Sequence, residues 1–328
     1  MSNVEQVTES LFKASDQVNR ELPRQQDAAG NGPTKEAAQV RWPGGKAFAF
    51  TVFDDTDNAD LSNVPYVYDL LHDLGFRTTK SVWPVRGERI PSIGGATCED
   101  RSYLDWVHSI QKKGFEIASH NATYHTSSRE ETALGLTRFA SLFGHNPRTH
   151  ANHHDCRESI YWGNYRVTDL NELVYNVLTR FRRRGEFEGQ FEKSPLFWGD
   201  LCKEKVQYVR NFIFFELNTL KACPQMPYHD ARRPYVNYWF ASTEGRDLES
   251  FVTRMAEKNQ DRLEAEGGAC IMYTHFASRF VEGRRVNQRF RELMKRLSRK
   301  NGYFIPVSEL LDYFADSARP HGAHRRTA

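Results

Sequence analysis

The first strong pattern along the chain is an apolar run that ends on two carboxylates. Residues Ala47 to Phe53 are apolar or β-branched, and Asp54 and Asp55 follow directly. Seven residues of this kind predict a buried strand. Because successive side chains of a strand point to opposite faces, the two carboxylates are expected to diverge, one to each side. Like charges crowded at the rim of a sheet need a metal ion, a cationic partner or a shared proton, so the pair marks a candidate site.

Apolar positions at helical spacing alternate with further short strands. The capping sequence at Ser128 predicts the start of one helix, and Gly75, Gly114 and Gly144 are placed as the glycines that follow three helices. The predicted helices cover about 64–74, 104–110, 128–143, 248–266, 290–297 and 308–314, and the further strands 77–82, 115–118, 269–274 and 304–305. This alternation predicts an α/β fold with mainly parallel strands covered by helices. In such folds the chemistry lies at the carboxyl ends of the strands.

The pattern also divides the chain into regions. Residues 1–41 are polar and are expected to form a loosely ordered N-terminal arm. Residues 42–316 are expected to form a single domain, with an aromatic-rich insertion at about 155–245, and residues 317–328 a basic tail. A chain of 328 residues with 39% apolar residues can build a full core.

Composition narrows the possible partners and the compartment. The formal charge of +3, from 45 basic and 42 acidic residues, is too balanced to favour nucleic acid. Five widely spread cysteines without a C-x-x-C pair are typical of reduced thiols rather than of a disulfide framework. The first residues lack the basic and apolar regions of a secretory signal, and no apolar run approaches the ~20 residues of a membrane span. We therefore expect a soluble cytoplasmic protein without a membrane span.

Titratable residues also end two later strands of the predicted sheet. His120 follows the strand at 115–118, and His275 follows the strand at 269–274. With His125 close by, Asp55, His120 and His125 make a set of one carboxylate and two imidazoles, which suits a catalytic divalent cation. Zinc is the first candidate, and cobalt, nickel, iron or manganese would suit the same ligands. Residues i and i+5 lie about 140° apart on a helix, so both histidines can bind one ion only from a loop or a bulge.

Two other interpretations of the carboxylates stay open. An aspartate after a strand is often only a helix cap or a turn residue. Asp55-Thr56-Asp57 also forms the Asp-x-Asp pattern with which many glycosyltransferases hold a metal ion and a sugar nucleotide.

The ordered set of motifs resembles the polysaccharide deacetylase family (NodB homology, carbohydrate esterase family 4). The family's Thr-Phe-Asp-Asp motif is similar to Thr51–Asp55, with one residue inserted. Its His-(Ser/Thr)-x-x-His motif is similar to His120–His125, again one residue longer, and its late Leu-x-His motif to Tyr273-Thr274-His275. The resemblance covers about residues 46–315 through loose motifs, which is typical of a divergent branch.

The resemblance implies a fold and a set of roles. The fold would be a distorted, incomplete (β/α) barrel with mainly parallel strands. Asp54 would be the general base, Asp55, His120 and His125 the metal ligands, and His275 the general acid.

The remaining family motifs match less well. The arginine that orients the base in the third motif has no clear equivalent at 149–157, where His150, Asn152 or Arg157 could face the base or the substrate. The aspartate and tryptophan of the fourth motif have Asp200, or His229-Asp230 ahead of Tyr238-Trp239, as candidates. The candidate substrate-binding residues are thus His150, Asn152, Arg157, Tyr238 and Trp239.

The implied activity is the metal-dependent removal of an acetyl group from an N-acetylated sugar or glycan precursor. The expected partner is a carbohydrate or sugar-nucleotide substrate. Three alternatives remain: the Asp-x-Asp glycosyltransferase, a non-catalytic glycan-binding relative, and a related hydrolase that acts on a non-sugar amide.

Overall fold

The computed structural model describes residues 40–154, 156–166 and 186–317. Apart from residues 40 and 41, the expected N-terminal arm lies outside these ranges, and so does the expected tail after Ser317. None of the helices in the described ranges is long and apolar enough to cross a membrane.

Seven parallel strands close into a barrel. Strand β1 pairs with β2 on one side and with β7 on the other, and the remaining strands follow in chain order. The strands are β1 (Phe48–Asp54), β2 (Thr79–Val82), β3 (Glu116–Ser119), β4 (Thr149–His150), β5 (Tyr208–Phe214), β6 (Tyr238–Glu244) and β7 (Ala269–Thr274). The predicted distorted (β/α) barrel with fewer than eight complete strands is therefore confirmed.

Three short strands complete the sheets of the described chain. An antiparallel hairpin pairs β8 (Val281–Glu282) with β9 (Arg285–Val286). Strand β10 (Gly302–Tyr303) runs parallel to the amino-terminal end of β1, opposite Phe48 and Ala49.

The helices alternate with the strands, as the pattern predicted. They are α1 (Val64–Asp73), α2 (Arg101–Lys112), α3 (Arg129–Phe143), α4 (Gly199–Lys205), α5 (Thr219–Ala222), α6 (Leu248–Arg254), α7 (Glu257–Ala265), α8 (Gln288–Ser298) and α9 (Val307–Ser317). Ser128 caps α3 in a complete capping box with Glu131. Gly75 follows α1 with φ of +83°, a conformation that glycine adopts without strain.

The structure divides the single helix predicted over 248–266. Ala256 has an extended backbone between α6 and α7. The side-chain amides of Asn259 and Gln260 donate hydrogen bonds to the carbonyls of Arg254 and Met255. These bonds satisfy two carbonyls at the end of α6, which have no intrahelical donor because the helix stops there.

The segment predicted as an insertion at about 155–245 includes two strands of the barrel, which corrects the sequence-based expectation; residues 155 and 167–185 lie outside the described ranges. It contributes β5 and β6 to the barrel wall. Strand β5 is hard to recognise in the sequence because Arg210 and Asn211, both buried, interrupt its apolar pattern. Its pairing with β6 also shifts register between Arg210 and Ile213.

The two faces of β1 pack against different parts of the core. Phe48, Phe50 and Val52 belong to the larger apolar cluster beneath the helices. Ala49 and Phe53 belong to a second cluster, which draws side chains from β3, β5, β6 and β7 and therefore fills the barrel. By the same alternation, Asp55 continues the inward-facing set and Asp54 the outward-facing set.

Candidate functional site

Three side chains at the carboxyl rim of the barrel form a candidate metal centre. Within the described ranges, Asp57, His120 and His153 each offer a ligand atom, and these atoms lie within 4.8 Å of one another. Asp57 Oδ1 is 3.2 Å from His120 Nε2 and 3.4 Å from His153 Nε2. All three residues are buried.

Hydrogen bonds from the far ring nitrogens orient both histidines. His120 follows β3, and its Nδ1 donates to the Ala151 carbonyl at 2.9 Å. His153 lies in the loop after β4, with Nδ1 3.2 Å from Cys156 Sγ. Both rings also pack against the buried indole of Trp83. Each Nε2 is left as the inward-facing atom, an arrangement typical of metal-binding histidines.

The donor set fits a divalent cation. His153 Nε2 is buried and makes no hydrogen bond with any described residue, although it faces Asp57 Oδ1. Burial lowers the pKa of His153, which favours the neutral imidazole that a metal requires. Burial would raise the pKa of Asp57, but the charge of His275 and the close contacts with three histidine rings hold it well below its usual range. One carboxylate and two imidazoles suit zinc and related ions.

His275 lies on the other side of the Asp57 carboxylate. Its Nε2 is 3.2 Å from Asp57 Oδ2 and 3.3 Å from the Tyr273 hydroxyl, and its Nδ1 donates to the Arg246 carbonyl at 2.8 Å. Burial works to lower the pKa of His275, but the charges of Asp57 and Asp55 and these hydrogen bonds outweigh it and raise the pKa to about 9. At neutral pH the ring is therefore an imidazolium that faces the candidate centre.

Asp55 lies inside the barrel as one half of a buried ion pair. Arg210, from β5 across the barrel, donates to both carboxylate oxygens, at 2.9 and 2.5 Å. The guanidinium lies between the rings of Phe53 and Tyr273, at 5.1 and 4.5 Å from their centroids. Burial would raise the pKa of Asp55, but Arg210 and the nearby His120 lower it, so the group stays ionised.

Asp54 points the other way, into the layer between barrel and helices. It forms an ion pair with Lys80 of β2 at 3.2 Å, and both side chains are fully buried. The backbone N–H of Phe276 and the hydroxyl of Tyr68 donate to its two oxygens. Burial raises the pKa of Asp54 despite these partners. The structure thus places this predicted base apart from the candidate centre.

His125, a predicted ligand, is not one of the three grouped residues. The stretch 120–125 is a loop, as two histidines five residues apart require, but the His125 ring turns away. Its Nδ1 bonds to the Thr126 carbonyl, and the ring packs so closely on Gly87 that a Cβ there would lie 1.9 Å from Nε2. The ring of His125 thus contacts the backbone of Gly87 and Thr126 rather than the three grouped residues.

The other candidates from the third-motif region have supporting contacts. His150 is buried, with Nδ1 2.6 Å from the Ser119 hydroxyl, and burial lowers its pKa to about 3. The Asn152 side chain bonds to both the N–H and the carbonyl of Ile160. Arg157 pairs with Glu188 at the surface. The carboxylate of Asp55 is instead held by Arg210.

Tyr238 and Trp239 lie at the amino end of β6, the opposite end of the strand from the candidate centre. Tyr238 is 42% exposed and packs near Tyr208, while Trp239 is buried in a separate apolar cluster. Asp200 pairs with Arg129, and Asp230 with Arg233. The structure brings none of these residues to the rim.

Sequence reasoning assigned no role to His153 and Arg210, and it gave Asp57 a role only in the Asp-x-Asp alternative. Asp57 lies beyond the end of β1, and its only signal in the sequence was its place in the Asp-x-Asp pattern. His153 lies in an irregular loop and had no periodic signal. Arg210 could have been found as a lone arginine within an apolar, aromatic strand, where an unpaired charge would be costly.

No protein-family model and no curated protein sequence matches the chain. Two solved structures align over most of their length. The crystal structure of Puue allantoinase shares 12% identity, over 90% of this chain and 99% of that chain, with a TM-score of 0.51. A structure described as a probable polysaccharide deacetylase from Pseudomonas aeruginosa PAO1 shares 10% identity, over 85% and 94%, with a TM-score of 0.50. The resemblance drawn from the motifs is therefore confirmed at the level of the fold: the chain has the (β/α) barrel of the polysaccharide deacetylases.

Proposed function

We propose that the protein is a metal-dependent amide hydrolase that removes an acetyl group from an N-acetylated sugar or glycan precursor. Asp57, His120 and His153 would hold the cation, in place of the Asp55, His120 and His125 set suggested by the motifs alone. Asp55 would be the general base, with Arg210 as its positioning residue, and His275 the general acid.

One observation carries the proposal: the triad of candidate metal ligands lies between two groups that could transfer protons. These groups are the carboxylate of Asp55, which Arg210 fixes, and the imidazole ring of His275. Through Oδ1, Asp57 contacts the two candidate histidine ligands, His120 and His153. Through Oδ2 it contacts His275. Asp55 Oδ2 lies 3.9 Å from His120 Nε2, so the carboxylate borders the same space. Ligands, base and acid are thus within reach of one scissile bond.

The residues divide the proton transfers of amide hydrolysis between them. A divalent cation at the triad would polarise the amide carbonyl and lower the pKa of a water molecule. Asp55, kept ionised and fixed by two hydrogen bonds from Arg210, would accept the proton of the attacking water. His275, whose pKa is raised, despite burial, by the charges of Asp57 and Asp55, would donate a proton to the departing nitrogen. Each such group is typically worth about 10² to 10⁴ in rate.

The environment of Asp55 disfavours the Asp-x-Asp glycosyltransferase. Both oxygens of Asp55 are engaged by Arg210, whereas Asp57 contacts three histidines. The two carboxylates of the pattern therefore have different partners.

A hydrolase that acts on a non-sugar amide is the second candidate. The similarity to an allantoinase structure favours it. A second observation also favours it: the hydroxyl of Tyr273 lies beside His275, at the position where the family motif has leucine.

The test combines metal analysis with a product screen. Protein purified without chelator is expected to contain about one equivalent of a divalent ion, and to release acetate from an N-acetylated sugar or sugar nucleotide. Release of ammonia or a carboxylate from ureides or cyclic amides, without acetate release, would favour the second candidate. Full activity in Asp57→Ala protein that has lost its metal would contradict both.

A further inference from the structure

We propose that Asn121 and Glu158 are positioning residues that hold the described loop residues 151–154 and 156–160 so that His153 faces Asp57 and His120. This inference rests on the proposed metal centre. It concerns two residues that touch neither the triad atoms nor the reacting groups.

Asn121 joins the two halves of the candidate centre. It directly follows His120, and its Oδ1 accepts a hydrogen bond from the backbone N–H of His153 at 3.1 Å. Its Nδ2 donates to Glu158 Oε1 at 2.7 Å. The residue is buried and has φ of +60°, a left-handed conformation that costs free energy for any residue except glycine. The amide thus links the residue after one ligand to the backbone of another.

Glu158 anchors the far end of this bridge. Its side chain is buried, and Oε2 has no partner among the described residues. Burial raises the pKa of Glu158 to about 7. The indole N–H of Trp198 donates to the Glu158 carbonyl at 2.6 Å, which fixes the backbone at that point. Burying a carboxyl group with an unpaired oxygen costs free energy. The hydrogen bond between Asn121 and Glu158 lies in the same buried environment, where it is stronger than it would be in water, and it fixes the Asn121 amide.

The loop needs such support because little regular structure holds it. Strand β4 has only two residues and ends at His150, three positions before the ligand. Two side chains of the loop bond back to it: Asn152 bonds to Ile160, and the Ser159 hydroxyl donates to the His153 carbonyl. At its start, the Ala151 N–H donates to the Ser119 carbonyl, and the Ala151 carbonyl accepts from His120 Nδ1. The Asn121 bridge to Glu158 also ties this loop to the end of β3. Without this bridge, metal binding would have to order His153, and the conformational entropy lost would weaken the affinity for the metal.

The test compares zinc affinity in Asn121→Gly with a matched variant. Glycine keeps the left-handed backbone without strain and removes the amide. Asn218→Gly is the control, since Asn218 Nδ2 donates to Glu266 Oε2 at 2.9 Å and its Oδ1 accepts from Ala269 N at the start of β7. Affinity is measured by competition with a chromophoric chelator, and thermal unfolding of the metal-free proteins is followed in parallel. Asn121→Gly is expected to weaken zinc binding about 10- to 100-fold, as for other groups that orient ligands, and Asn218→Gly less than about threefold.

A second pair of variants keeps the inference testable if Asn121→Gly does not fold. Glu158→Gln retains a carbonyl that can accept from Asn121 and is expected to bind zinc nearly as the wild type does. Glu158→Ala removes the acceptor and is expected to lose about tenfold or more. Equal affinities of Glu158→Ala and Glu158→Gln, or of Asn121→Gly and Asn218→Gly, would overturn the inference while leaving the metal centre intact. Failure of the wild type to bind zinc or cobalt would overturn the metal centre itself and, with it, the inference.

Discussion

Asp54 and Asp55 are neighbours in the chain but lie in different environments. Asp54 pairs with Lys80 under the helices, and Asp55 pairs with Arg210 inside the barrel. Both pairs are buried, so each carboxylate is held by a charge that would be costly to leave alone. The first pair ties β1 to β2, whereas the second lies beside the candidate metal centre.

The asparagine substitutions at the two positions are therefore expected to differ in their effect on kcat. Asp55→Asn should lower kcat by about 10² to 10⁴, because the proposed base is lost, and should retain the metal. It should also lower the free energy of unfolding, because Arg210 is left buried without its counter-charge. Asp54→Asn leaves Lys80 buried without its counter-charge and should lower the free energy of unfolding by about 3–5 kcal/mol. Steady-state kinetics and chemical unfolding of both proteins distinguish these effects. A larger loss of kcat in folded Asp54→Asn protein than in Asp55→Asn would restore Asp54 as the base.

The histidines allow a similar comparison. His153→Ala should abolish stoichiometric metal binding, since His153 Nε2 faces Asp57. His125→Ala should retain the metal, because the His125 ring packs on Gly87 instead. Metal content after dialysis against a low zinc concentration measures both. Loss of metal in His125→Ala with retention in His153→Ala would support the ligand set that the motif suggested.

The sequence contained enough information for part of this site. Alternation along β1 separates Asp54 from Asp55, although the family motifs assigned the base to Asp54 and a metal ligand to Asp55. His120 and His275 were predictable because each directly follows a recognisable strand. His153 was not, because its position depends on a loop closed by Asn121 and Asn152 through contacts that have no sequence periodicity.

At the scale of elements, α3 supports the loop that follows His120. Gly135 lies in the middle of α3, and a Cβ there would lie 2.5 Å from the Ala122 Cβ and 3.0 Å from its Cα. Ala122 directly follows Asn121. Helix α3 therefore packs directly on the loop that contains the candidate ligand His120 and the proposed positioning residue Asn121. Close approach, rather than flexibility, explains the glycine.

Gly135→Ala is expected to destabilise the protein although it improves helix propensity. Alanine would add about 1 kcal/mol of stability in an exposed helix, whereas overpacking costs about 1–3 kcal/mol. The net loss should reach about 2 kcal/mol, with weaker metal binding because the loop moves. Leu134→Ala, at an exposed position of the same helix, is the control. Urea unfolding of Gly135→Ala at or above wild-type stability would show that the loop yields without cost.

Strand β5 shows the limit of pattern-based prediction at this scale. Its apolar run is interrupted by Arg210 and Asn211, so the segment resembled an irregular insertion. The interruption exists because Arg210 must reach Asp55 from across the barrel. A charge inside a strand is stable only with a partner that the sequence places 155 residues away. The charged residue that the site uses therefore makes the strand that carries it hard to recognise from the apolar pattern.

At the scale of the whole molecule, the candidate centre joins three separate parts of the barrel. Asp57 follows β1, His120 follows β3, and His153 follows β4. A cation bound to all three would bind the folded chain and not the unfolded one, so it should stabilise the fold by mass action. At a free concentration of 100 times Kd the gain is about 2.7 kcal/mol.

This gain should be visible as a shift in Tm. With an unfolding entropy of about 2.1 cal/mol/K per residue, the 328-residue chain should gain roughly 4 °C on saturation with zinc. Excess EDTA should reverse the shift in the wild type and in His125→Ala. Asp57→Ala and His153→Ala should show little shift, because each lacks one of the three ligands. An equal rise in all four proteins would mean that zinc binds elsewhere, and the barrel rim would then lose its assignment as the metal centre.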